Sequence, residues 1–312
     1  MIKALSVFVS FSFLISCAQE IRKTDVMNQV NIKKVANIYK EIKTYDYNPN
    51  YTLHMNAGGL SFEVLINGNP IFSHYDSGNI TGSIPINPSL ISSGTQKIKI
   101  IITPETDENY NTKLLIDPND VSFDITIDCG DYGKEKVKDF HEVFKYKMPK
   151  LKESLPIYEL NLEFDAKVPY TLNGWTNSVD LSKEDKQKLL KEVEAFYNEI
   201  INDYKNRDIN RLADKYYNRV FELQQASYGN KRNDIQAIID NWIIDANDDK
   251  PFIFDQYQMK FYGEGKMVAL VKTDKYYKNF SSLMREDKEG NYSCYDLILH
   301  RPMEGAPLEV IR

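Results

Sequence analysis

Apolar and polar positions alternate along the first half of the chain and recur at three- and four-residue spacing in the second. Phe62-Glu63-Val64-Leu65-Ile66 runs into Asn67-Gly68, a dipeptide suited to the positive φ pair of a tight hairpin, and Ile71-Phe72 resumes after Pro70. Gly82 to Ile86 reads as another short strand. From Thr95 to Thr103, Ile98, Ile100 and Ile102 face one way while Lys97 and Lys99 face the other. Val121 to Asp128 alternates in the same manner, and Tyr158, Leu160, Leu162 and Phe164 mark one more strand. Short alternating strands separated by turn residues predict an antiparallel β-sandwich over residues 51–172.

The period changes near Gly174-Trp175. Leu189, Val193, Phe196, Tyr197, Ile200 and Tyr204 form one apolar stripe, with Ser182 as the expected helix cap and Asp185 as its acidic partner. Asp208 is placed to cap a second helix carrying Leu212, Ala213, Tyr216, Tyr217, Val220 and Phe221. A third carries Ile235, Ile238, Ile239, Trp242 and Ile243. After Pro251 strands are expected at Phe252–Tyr262, Met267–Thr273, Tyr292–His300 and Leu308–Ile311. Three helices followed by an antiparallel sheet predict an α+β domain over 173–312. That order resembles cystatin-like cone folds over roughly 180–312, a likeness of element order without a residue motif. The chain as a whole is thus expected to be mainly β plus α+β.

The N-terminus has a different character. Lys3 precedes an apolar run from Ala4 to Ile15, too short for the roughly 20 residues of a membrane-crossing helix and of the length of a signal-peptide core. It ends Leu14-Ile15-Ser16-Cys17. These four residues resemble the lipobox of bacterial lipoproteins. The resemblance implies cleavage of residues 1–16, a diacylglyceryl group on the Cys17 thiol and acylation of the new amine. Each buried methylene contributes about 0.8 kcal/mol, so several chains anchor where one does not. No aspartate follows Cys17, which in the enteric sorting pattern favours the outer membrane; the membrane face is left open. Residues 17–50 read as a tether with one short helix, carried by Val35, Ile38, Tyr39, Ile42 and Tyr45 and stopped by Asn48-Pro49-Asn50.

Composition narrows the class. A net charge of −6 over 312 residues argues against a nucleic-acid partner. Hydrophobic and charged contents of 42% and 27% fit a globular body. The 21 tyrosines accompany abundant Asn, Lys and Ile, as an A/T-rich genome would give. Apart from Cys17, the cysteines are Cys129 and Cys294, which could pair in an oxidising compartment or stay as thiols.

No residue pattern specifies a reaction. His54, His74, His141 and His300 lack metal-ligand spacing and read as solvated or turn histidines. Ala226-Ser227-Tyr228-Gly229 lacks the first glycine of a nucleophile elbow. Gly263-Glu264-Gly265-Lys266 reads as a hairpin turn. Asp245-Ala-Asn247-Asp-Asp249 opens like a calcium loop, but Lys250 and Gln256 stand where that loop needs Gly and Glu. Tyr216-Tyr217 and Tyr276-Tyr277 could stack on sugars, with at least one ring of each pair expected in the core. Neither a catalytic residue nor a cofactor or metal site is assigned. The expectation is a lipid-anchored envelope protein that acts by binding, first a protein partner in an immunity or assembly role. A glycan-binding lipoprotein is the alternative, and a hydrolase with a motif-free carboxylate pair is the second.

Overall fold

The computed structural model describes residues 26–27, 29–133 and 139–312. The expected signal segment and the expected lipidation site Cys17 lie outside the described residues.

Eight strands build the N-terminal half: β1 Pro49–Gly58, β2 Leu60–Ile66, β3 Asn69–His74, β4 Ile80–Pro85, β5 Gly94–Pro104, β6 Ser122–Asp131, β7 His141–Lys147 and β8 Tyr158–Ala166. They form two antiparallel sheets, ordered β4-β1-β6-β7 and β3-β2-β5-β8. The alternating residues Leu53, Met55, Phe62, Val64, Ile98, Ile100, Phe123, Ile125 and Ile127 fill one core between them. The Phe62 and Phe123 rings meet across that core edge to face, 5.0 Å apart. Asn67 and Gly68 take φ of 51° and 76°, the turn that their sequence predicts.

Four helices among the described residues follow a different plan. α1 Val30–Ala36 precedes the sandwich; α2 Lys186–Lys205, α3 Ile209–Ala226 and α4 Arg232–Asn247 follow it. Asp208 caps α3 through the Arg211 amide, as expected. The cap of α2 is Asp185, which accepts from the Lys188 amide, and not Ser182. Ser182 lies one turn too early, in a 3-10 segment whose amide is capped by Asp180. The α1 segment is more than a tether: Val26, Ile32, Val35, Ile38 and Ile42 are buried in one core with α2, α3 and α4.

The C-terminal strands are β9 Phe252–Ile253, β10 Tyr257–Tyr262, β11 Met267–Lys272, β12 Met284–Glu286, β13 Tyr292–Cys294, β14 Leu299–His300 and β15 Glu309–Val310. They are all antiparallel but divide into two sheets, β10-β11-β14-β15 and β13-β12-β9. The expected single strand 252–262 breaks where Gln256 takes a φ of 46°, sending β9 and β10 to different sheets. The expected strand 292–300 breaks between β13 and β14 in the same way. No described helix is long and apolar enough to cross a membrane.

The two halves meet sheet to sheet. Every residue of β2 is buried: Phe62, Val64 and Ile66 face the sandwich core, and Leu65 faces the other half. β11 mirrors this, with Val268 and Leu270 on the helices and Met267, Ala269 and Val271 toward β2. Gly263 donates its amide to Gly68 O at 3.0 Å, and Trp175 Nε1 donates to Asn67 O at 3.1 Å. A Cβ on Gly68 would sit 2.7 Å from Gly263 Cα, so only glycine permits this approach.

Candidate functional site

The histidines separate into two kinds. His54 lies on the open face of β1, 2.7 Å from Ser83 Oγ, and His141 is exposed at the start of β7. His74 and His300 are buried, so neither is a solvated ring; His74 Nε2 lies 3.3 Å from Gly78 O across the turn after β3. His300 Nδ1 lies 2.7 Å from Ser178 Oγ in a 340 Å³ pocket, an arrangement reminiscent of nucleophile activation. Burial and the Arg312 charge push the imidazole down to about 4, too low for an efficient base near neutrality. No carboxylate holds its second nitrogen through any hydrogen bond or ion pair among the described residues. The pair is a neutral hydrogen bond tying the loop after Trp175 to β14.

The other candidates resolve similarly. Ser227 follows the end of α3, and Tyr228 turns inward to donate to Pro49 O. Gly263–Gly265 is the turn between β10 and β11. Among the described residues no three His, Cys, Asp or Glu side chains converge as metal ligands. Asp248 instead accepts from the Lys250 amide and ammonium. Cys129 and Cys294 are both free thiols, which removes the disulfide alternative. Cys129 points into the sandwich core, while Cys294 sits on β13 and contacts Ser281 O at 3.6 Å. Burial raises both thiols, Cys294 to about 12. Tyr216 is buried and Tyr217 packs at the core edge; Tyr276 is exposed against Tyr110 with ring centroids 5.0 Å apart.

One concavity differs from all of these. A cleft of about 330 Å³ opens where β3, α3, β11 and the C-terminal segment meet. Its walls include Ile71, Phe72, Leu223 and Ile298; its charged side chains are Glu63, Arg219, Asp296 and Arg312, and Asn69 is among its neutral polar ones. Arg312 is 5% exposed. Its Nη1 pairs with Glu222 Oε2 at 3.1 Å, its Nε donates to Pro88 O, and its guanidinium lies 5.0 Å from the Trp175 ring. Nη2 has no partner. Burial pulls the guanidinium below its ordinary value, and Glu222 opposes that fall. Asn69, 6% exposed, donates Nδ2 to Ser89 Oγ and leaves Oδ1 open. Arg219 lies over the Tyr216 ring, and its buried Nε is also without a partner.

Buried polar atoms in folded proteins are hydrogen-bonded, so three open ones in one cleft are informative. A larger groove of about 800 Å³ lies on the other flank of the same interface. All three of its lysines are already paired, Lys97 with Glu264 at 2.6 Å, Lys99 with Glu159 at 3.3 Å and Lys260 with Glu63 at 2.5 Å, and none of its lining residues carries a buried polar atom without a partner. The smaller cleft is therefore the better candidate site.

Comparison of the chain with protein-family models, curated proteins and solved structures finds no match. Positions 69, 219, 296 and 312 escape sequence reading because no spacing links them. Two signals were present. Arg219 falls within the helical stripe Leu212, Tyr216, Leu223, and Arg312 continues the parity of Leu308 and Val310. A charge at an apolar position of a stripe marks either a buried pair or a site.

Proposed function

We propose that this chain is a lipid-anchored protein of the bacterial cell envelope that works by binding, with the cleft bounded by Asn69, Arg219, Asp296 and Arg312 as its binding site. The anchor rests on the Leu14-Ile15-Ser16-Cys17 motif, and Ala18 in place of an aspartate after Cys17 favours the outer membrane. The single observation that carries the binding reading is that three residues lining one cleft between two docked halves, Asn69, Arg219 and Arg312, each hold a buried polar atom without a partner. Small-ligand sites are concave, largely apolar and fitted with a few directed polar groups. The test is native mass spectrometry of the lipidated chain purified from envelope membranes. A small molecule should stay bound, and Ile71→Trp, which narrows the cleft from its rim, should release it. Spectra free of any bound molecule in both proteins contradict the reading.

A protein partner is the second reading. Leu114 is 90% exposed, and Leu115 and Ile157 stand exposed near it, where Ile116 bridges to Leu155. Exposed apolar groups clustered in this way suit protein contact. Cross-linking in native membranes should then capture one stoichiometric protein, lost on Leu114→Glu with Ile157→Glu.

A further inference from the structure

The cleft's charges indicate the kind of molecule it takes. Two of its four charged side chains are already neutralised, Arg312 by Glu222 and Glu63 by Lys260. The other two are not. Arg219 has no ion-pair partner among the described residues, only the Tyr216 ring at 5.7 Å. Asp296, exposed at the mouth, has no hydrogen bond or ion pair among them either. The two share the cleft without pairing with each other. What remains uncompensated is one positive and one negative charge, with a buried, unpartnered acceptor at Asn69 Oδ1 and buried, unpartnered donors at Arg219 Nε and Arg312 Nη2.

From this juxtaposition of unpaired Arg219 and Asp296 we infer that the cleft binds a small zwitterion, an amino acid or short peptide presenting both a carboxylate and an ammonium. It rests on the cleft being the binding site. The carboxylate lies against Arg219 and the free Nη2 of Arg312, where charge-assisted bonds are strongest. The ammonium lies toward Asp296 and Asn69 Oδ1, and the side chain lies along Phe72, Leu223 and Ile298. A simple anion would leave Asp296 repelling it, and a simple cation would leave Arg219 doing so. The volume, at the low end of the roughly 300–1,000 Å³ of small-molecule sites, fits one or two residues.

The experiment is isothermal titration of the full chain, stripped of bound molecules, with leucine, phenylalanine and alanyl-alanine in both enantiomers. N-acetyl and C-amide counterparts, acetate and phosphate complete the panel. At least one zwitterion should bind, and its N-acetyl and C-amide forms should bind at least tenfold more weakly. Arg219→Gln and Asp296→Asn should each weaken it by a similar factor while leaving thermal unfolding of the free protein within a few degrees. Acetate or phosphate binding as tightly as any zwitterion, indifferent to Asp296→Asn, overturns the inference and leaves the cleft as a site. A non-zwitterionic molecule retained in native spectra does the same. No heat from any probe overturns the inference, and empty native spectra beside it remove the cleft reading as well.

Discussion

The Ser178–His300 contact makes a quantitative prediction about acid stability. His300 is 6% exposed and holds a neutral ring against Ser178 Oγ at 2.7 Å. In the unfolded chain the imidazole titrates near 6.5; in the fold, burial and Arg312 lower it to about 4. Because the folded value is the lower one, the unfolded state takes up the proton first. The contribution of the neutral ring is complete above about pH 6.5 and declines as pH falls toward 4. Below that it is flat. The gap corresponds to roughly 3 kcal/mol over the whole window. Carboxylates titrate in the same window, so the quantity to read is the difference between wild type and His300→Gln, which keeps a polar partner for Ser178 but cannot charge. Urea midpoints followed by tryptophan fluorescence from pH 7.5 to 4 give that difference, since Trp175 lies at the interface beside Arg312. The wild type should lose about 3 kcal/mol more than the variant on acidification. Parallel profiles, agreeing within about 0.5 kcal/mol, would show that His300 titrates like a solvated ring and refute the reasoning.

Three further outcomes are expected. Cys17→Ala should abolish incorporation of labelled palmitate and move the protein from the membrane to the soluble fraction. Glu222→Leu strands the buried Arg312 charge and the Gly174 amide that Glu222 accepts at 2.9 Å, costing about 3–5 kcal/mol in urea unfolding. Adding Arg312→Met should restore most of that loss, because a buried pair replaced by apolar groups is often neutral. Gly68→Ala forces a side chain against Gly263 at a φ of 76°, so it should cost about 1–3 kcal/mol and speed proteolysis between residues 167 and 180.

Local pattern carried much of this fold. Strand parity located the inward faces of β5 and β6, Asn67-Gly68 located a turn, and Asp208 located a cap, because each is settled by neighbouring residues. What sequence missed depends on distant partners. Glu63 looks like the outward residue of an alternating strand, yet it is buried because Lys260 reaches it from β10 at 2.5 Å. Val35, Ile38 and Ile42 are legible as a helical stripe, but nothing local reveals that α2, α3 and α4 cover it. The strand 252–262 is interrupted at Gln256, whose amide side chain carries no turn signal. The cleft joins β3, α3 and the final residues, segments more than 200 positions apart at their extremes, and only the misplaced arginines hinted at it.

The burial of α1 gives the molecule an unusual order of assembly. The helical domain is built from both sides of the sandwich in sequence, with Ile32 and Val35 before it and α2 to β15 after it. The sandwich, residues 49–166, is topologically an insertion, and its core is finished only when Ala226 and Tyr228 arrive from the end of α3. The segment 26–42 emerges earlier and finds nothing to pack on until α3 has been made, so it waits as an exposed apolar strip across much of synthesis. Such a chain invites a holding chaperone at its N-terminal end. It also makes circular permutation informative: relocating residues 26–48 behind residue 312 through a flexible linker would place the helix beside its partners in time, and refolding should quicken if that wait limits it.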